Sequence, residues 1–228
     1  MVDGRTKMKS APSESVNEDC CKTPCVVVDL DGTLLRGNSL RMMVRFMTGI
    51  LIRRRRYGHV LRIGMLLTLR RLRVINHVRM KRPLHEMALG ELSDEDILRF
   101  ADKLHGSLNH RLLERLEKYR SKGYRLLLAT AAPDLYPGSL AEVLGFDGCI
   151  ATPLPDARSP YIETRGELKR DLCLSRAAAE GWSISVVATD HADDLPLLEL
   201  HGITRLLVSP APELTEHLRT RGLEFEEI

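Results

Sequence analysis

Five short apolar runs punctuate the chain: Cys25 to Leu30 (CVVVDL), Tyr124 to Thr130, Cys149 to Thr152, Ile184 to Thr189 and Ile203 to Val208. The first is too apolar for a strand with one wet face, and the other four share its character. Each is predicted to be a strand covered on both sides, as in a parallel sheet. Between most of these runs the apolar spacing changes to that of a helix, with Leu108 to Lys122 closed by Gly123 and Arg170 to Ala179 closed by Gly181. Strands alternating with helices predict an α/β fold, a doubly wound parallel sheet of Rossmann-like kind with ligands at the carboxyl ends of its strands.

The interval between the first two strands is too long for one crossover. Taking Leu108 to Lys122 as the crossover helix leaves residues 37–105 as an insertion, expected to be a small α-helical cap over the sheet edge. Ser93, followed by Asp94, Glu95 and Asp96, reads as a capped helix start. Leu61, Met65, Leu69, Leu72 and Ile75 fall on one helical face, and Arg62, Arg70, Arg73 and His77 on another. The catalytic core is then residues 24–36 and 106–228. Residues 1–23, polar and without periodicity, are expected to be a flexible tail.

Composition adds two exclusions. A chain of 228 residues that is 43% hydrophobic can bury one sizeable core plus an appendage, which rules out intrinsic disorder. At 4% aromatic it is poor in the stacking residues of single-strand binders, so nucleic acid is an unfavoured partner. The net charge of +3 conceals a segregation: from Gly32 to His85 there are 14 Lys and Arg and no acid, and the remainder holds 20 basic against 31 acidic residues. No run approaches the 18 to 20 or so apolar residues a bilayer crossing needs, since Phe46 to Ile52 and Ile63 to Leu69 are each ended by an arginine. Five cysteines (Cys20, Cys21, Cys25, Cys149, Cys173), an odd number without a secretory start, point to a reducing, cytoplasmic setting, with peripheral contact at the inner membrane face left open.

Candidate chemistry gathers at strand ends. Asp29-Leu30-Asp31-Gly32-Thr33-Leu34 closes the first strand, and carboxylates at i and i+2 leave it on the same side, one able to attack and the other to move protons. A buried strand ends on Thr130-Ala131, Gly166-Glu167-Leu168-Lys169 opens a helix, and Asp190, Asp193 and Asp194 crowd together after another strand. Massed carboxylates repel one another, and a cation is their natural resolution.

In this chain order the four motifs resemble the haloacid dehalogenase superfamily, in its phosphoserine-phosphatase-like subclass with a helical cap. The resemblance implies a Mg²⁺-dependent phosphatase. Asp29 would be the nucleophile that takes the phosphoryl group, and Asp31 the general acid and then the base for water. Thr130, the Ala131 N–H and Lys169 would bind the phosphate, and Mg²⁺ would lie among the Asp29 carboxylate, the Asp31 carbonyl, Asp190 and, in direct or water-mediated support, Asp194. There are departures from the family pattern. His191 and Asp193 stand where small or neutral residues are common, so Asp193 competes with Asp194 for the supporting role. Ala132 replaces a hydroxyl. Asn38 stands where phosphoserine phosphatases place the glutamate that holds the substrate ammonium, which makes phosphoserine a poor substrate candidate.

For the substrate, two readings stand side by side: a lipid-like phosphate reached by docking the basic cap, with Arg53-Arg54-Arg55-Arg56 at its centre, on anionic membrane, or a small soluble phosphate metabolite. A rival of another class is a binding module for anionic lipid or nucleic acid on a degenerate scaffold; the intact catalytic positions argue against it.

Overall fold

A computed structural model describes residues 22–154 and 161–228. The expected tail therefore lies, up to residue 21, outside the described residues, together with Cys20 and Cys21. The chain enters through β1 (Thr23–Val28) and continues into four successive helices, α1 (Ser39–Arg53), α2 (Tyr57–Arg71), α3 (His77–Glu91) and α4 (Asp94–Leu104). After them come α5 (His110–Arg120), β2 (Arg125–Pro133), α6 (Pro137–Val143), β3 (Gly148–Thr152), α7 (Gly166–Ala179), β4 (Trp182–Thr189), α8 (Leu195–Leu198), β5 (Thr204–Leu207), α9 (Pro212–Thr220) and β6 (Glu226–Glu227). The strands form one sheet in the order β3-β2-β1-β4-β5-β6, every neighbouring pair parallel. All five expected strands are present. The sixth is two exposed glutamates, which carry no apolar signal.

Winding runs outwards from β1 through β2 to β3, then returns to the other side of β1 for β4 and β5. The reversal falls between β1 and β4, so the carboxyl ends of these two strands border the crevice in which such sheets bind ligands. Each face of β1 is buried. Val26 and Val28 join one apolar cluster, Cys25 and Val27 the other, which accounts for the unbroken apolar run in the sequence.

The inserted helices form as their caps direct. Asn38 accepts from the Arg41 N–H at 3.0 Å to start α1, and Ser93 with Asp96 makes the reciprocal capping box of α4. Along α1, Leu40, Met43, Val44, Met47, Ile50 and Leu51 form the buried stripe. These side chains share one cluster with Val28, Leu128 and Val186 of the sheet, so the insertion has no core of its own. A chain of rings seals the junction: Phe46 of α1 meets Phe100 of α4 at 5.4 Å, and Phe100 meets Tyr136 edge-on at 4.9 Å.

One helical face is oriented opposite to a core-forming reading. Leu61, Met65 and Leu72 are 78%, 54% and 66% exposed, and α2 packs instead through Ile63 and Leu66. The helix ends at Arg71, and a left-handed turn at Arg73 (φ 59°) takes Ile75 off that face. Among the described residues no helix is long and apolar enough to cross a membrane.

Candidate active site

The Asp29 N–H donates to the Ala188 carbonyl at 2.9 Å, which fixes the end of β1 beside the end of β4 and so sets Asp29 and Asp31 against Asp190. Gly32 makes the approach possible. It has φ 85°, and a Cβ there would stand 2.1 Å from Asp190 Oδ2, so no side chain fits between loop and carboxylate. The adjacent Thr33 hydroxyl donates to Asp190 Oδ1 at 2.8 Å.

Lys169, on the first turn of α7, is 2% exposed, and its Nζ donates to Asp29 Oδ1 at 2.7 Å and to Asp194 Oδ2 at 2.8 Å. Asp194 Oδ2 also accepts from the Thr189 hydroxyl at 2.7 Å. The sequence alone sets Lys169 against phosphate and Asp194 beside the metal; here the two side chains hold each other. Burial opposes the Lys169 charge, but Asp29 and Asp194 outweigh it and raise its pKa.

Asp31 is positioned by the first residue of α1. Ser39 donates its main-chain N–H to Asp31 Oδ1 at 2.6 Å, and its hydroxyl shares a 2.7 Å hydrogen bond with the buried Tyr136 hydroxyl. Burial raises the Asp31 pKa, with Asp190 adding to the effect and the Ser39 bonds opposing it. Burial likewise pushes the Asp29 carboxyl up to about 7, against the pull of Lys169 and helped by Asp194 and Asp190. The Asp190 carboxyl is also raised, chiefly by burial. Burial and mutual repulsion penalise the anionic forms of these three carboxyls, and such hard oxygen groups have the chemistry that a divalent cation such as Mg²⁺ prefers, although among the described residues they are not drawn together into a ready-made metal cluster.

Thr130, at the end of the buried part of β2, is 1% exposed and accepts from the Ala132 N–H at 3.0 Å. Thr130, Ala131 and Ala132 line the same cavity of about 600 Å³ as Asp29, Asp31, Lys169, Asp190 and Asp194. Every sequence-predicted site residue therefore comes together at one place. Sequence reasoning does not single out Ser39, Tyr136, Thr33 or Thr189. Thr33 and Thr189 lie within the quoted motifs without a role, Ser39 follows a capping asparagine, and nothing near Tyr136 in the sequence signals its part.

The two neighbouring acids stand in different surroundings. Asp193 is half-exposed and pairs with Arg165 at 2.7 Å, whereas Asp194 is buried against Lys169. Asp194→Ala is expected to cost roughly 3 kcal/mol, the low end for breaking a buried pair because Asp29 still faces the ammonium. Asp193→Ala is expected to cost below about 1 kcal/mol, as for surface pairs. Urea unfolding of the two purified variants measures both, and equal losses would refute the distinction.

Residues 26–199 match the family model described as haloacid dehalogenase-like hydrolase. Among solved structures, a Bordetella pertussis Tohama I protein with unknown function is 20% identical at a TM-score of 0.70, covering 90% of this chain and 98% of its own. A HAD family hydrolase from Salmonella enterica subsp. enterica serovar Typhi is 16% identical (TM-score 0.59), covering 90% of this chain and 66% of its own. A substrate-bound phosphoserine phosphatase is 17% identical (TM-score 0.56), covering 87% and 91%. At these identities the likenesses establish the fold. No curated protein matches the chain.

Proposed function

Because the chain belongs to the haloacid dehalogenase-like hydrolase family, we propose that it is a Mg²⁺-dependent phosphatase that hydrolyses a phosphomonoester through an aspartyl-phosphate on Asp29. The observation that carries this reading is the buried contact of Lys169 with Asp29 at 2.7 Å, in a cavity that Asp31 and Asp190 also line. A cation bonded to the attacking carboxylate lets one anion approach another, and an incoming phosphoryl oxygen would share the same ammonium.

In the proposed cycle, Asp29 attacks phosphorus while the alkoxide leaves. Asp31, whose raised pKa suits a proton donor, protonates the leaving oxygen. The same carboxylate then takes a proton from the water that attacks the phosphoaspartate, returning Asp29 and releasing phosphate. Thr130 and the Ala131 N–H hold the equatorial oxygens with Lys169. Mg²⁺ would be held by Asp29, the Asp31 carbonyl and Asp190, with Asp194 contributing charge from its place on Lys169, and would supply charge neutralisation at the phosphoryl oxygens. The four inserted helices would act as the cap over this chemistry.

Turnover of a generic aryl phosphate with and without Mg²⁺ tests the reading. Metal-dependent release of phosphate is expected, and its absence under both conditions would refute it and favour the binding-module alternative.

For the substrate we propose a lipid-like phosphate met at an anionic membrane surface. Support comes from the outward stripe of α2, where Tyr57, Leu61 and Met65 stand exposed within the acid-free basic segment. The arginine run contributes less than its charge suggests: Arg54 is bound to Asp96 and Arg56 lies 3.5 Å from Glu91, so Arg53 and Arg55 remain. Liposome flotation should recover the protein with anionic vesicles and not with neutral ones. Equal recovery from both, together with a preference for soluble phosphates in a substrate panel, would favour a soluble phosphate metabolite.

A further inference from the structure

The catalytic cavity continues into the insertion. A second cavity, of about 750 Å³, lies among α1, the carboxyl-terminal half of α2 and the first turns of α3, and it shares Asn38, Leu40, Arg41 and His77 with the first. Its charged lining is of one sign. Arg41 and Arg45 come from α1, Arg70 and Arg71 from the end of α2, and Arg73 from the turn beyond it, with no acid among the lining residues. Val44, Leu67, Met80 and Leu84 supply apolar wall.

Five guanidinium groups around one concavity repel one another, and folding alone gives no reason to assemble them. Among the described residues none of the five guanidinium groups makes an ion pair or a hydrogen bond, whereas Arg54, Arg99 and Arg125 each hold a carboxylate. The helices reinforce the sign. α1 and α3 begin at the junction of the two cavities, capped by Asn38 and Asn76, and neither has an acid in its first turn. Glu163, another acid of the catalytic cavity, is held by Lys81 at 3.0 Å and faces Arg165 at 4.0 Å, so its charge is answered locally.

We propose that the second cavity is an anion subsite, and that the substrate is a phosphomonoester whose leaving group carries a further phosphate or phosphodiester on a partly apolar scaffold. This rests on the phosphatase reading above. Asp31, the proposed donor to the leaving oxygen, is bonded to Ser39, so a leaving group that departs past it runs by Asn38 and Arg41 into the arginine-lined space. Guanidinium forks match phosphate oxygens two at a time, and the second cavity gathers five of them. An ammonium-bearing leaving group would meet only like charge there, and Asn38, spent on the α1 cap, supplies no compensating carboxylate.

The test compares the wild-type enzyme with an Arg45→Gln, Arg71→Gln double variant on two matched pairs of substrates. The soluble pair is glycerol 3-phosphate and glycerol 1,3-bisphosphate. The lipid pair is dioleoyl phosphatidic acid and its glycerophosphate-extended counterpart in mixed micelles. The quantity read is the ratio of kcat/KM for the doubly anionic over the singly anionic member. In the wild type this ratio should reach about tenfold or more in at least one pair, as expected for one or more charge-assisted contacts, and in the double variant it should fall towards unity. The pair that shows the preference identifies a soluble or a lipid source.

A wild-type ratio near unity in both pairs, or a ratio unmoved by the substitutions, overturns the subsite. No turnover of any of the four by an enzyme that hydrolyses the aryl phosphate overturns the substrate proposal, whereas no turnover of the aryl phosphate either overturns the phosphatase reading instead. Calorimetric titration with inorganic phosphate then still decides the subsite: two phosphates per wild-type chain and one per variant chain support it, and equal stoichiometry in both overturns it.

Discussion

Asp29→Asn is expected to abolish phosphomonoester turnover, by roughly a thousandfold or more, in a protein that keeps its fold. The amide has the shape of the carboxylate and its oxygen still accepts from Lys169, which also retains Asp194 at 2.8 Å, so no buried charge is stranded. What disappears is the nucleophile. An amide oxygen cannot form the phosphoaspartate at a useful rate, and the remaining charge and positioning would only hold the substrate. Steady-state rates together with acid-quench trapping of phosphoprotein measure the effect. Wild-type-like turnover, or phosphate trapped on the Asp29→Asn variant, would remove Asp29 from the mechanism.

Asp190→Ala is expected to raise the Mg²⁺ concentration for half-maximal activity by at least about a hundredfold, exceeding the effect of losing an outer-sphere partner. The substitution deletes the carboxylate that Gly32 makes room for, and it leaves the Thr33 hydroxyl without its acceptor. The remaining proposed donors, the Asp29 carboxylate and the Asp31 carbonyl, would be too few for a divalent ion that competes with its own hydration shell. Mg²⁺ titration of activity is one readout, and direct Mn²⁺ binding, which does not depend on turnover, is the second. If Asp193→Ala shifts either titration more than Asp190→Ala does, the proposed metal set is wrong.

The strands and the gathering of aspartates at their ends were legible because their physics is local. Val26, Val27 and Val28 announce a doubly buried strand, Asp29 and Asp31 leave it on one side, and Ser93 with Asp96 writes its own helix start. What could not be read depended on distant partners. Asp194 looked like one more carboxylate for a cation, and only the fold discloses that Lys169, 25 residues away in sequence, occupies one of its oxygens. The α2 stripe had the period of a buried face, yet periodicity states which residues share a face and not which way that face looks. Likewise Tyr136 reaches Ser39 across 97 residues, through a contact that no spacing rule encodes.

The hydrogen bond from Ser39 to Asp31 would make α1 a lever with the proposed proton donor on its short arm. At 2.6 Å the bond tolerates little movement, and Ser39 is the first residue of a helix whose next turns carry Arg41 and Arg45. If a group binds those arginines as proposed, its pull would pass along the helix to the carboxyl proposed to donate the proton. Discrimination between leaving groups would then be expressed in the speed of bond breaking rather than in tightness of capture. A poor substrate would sit in the pocket with Asp31 slightly out of line, bound and waiting.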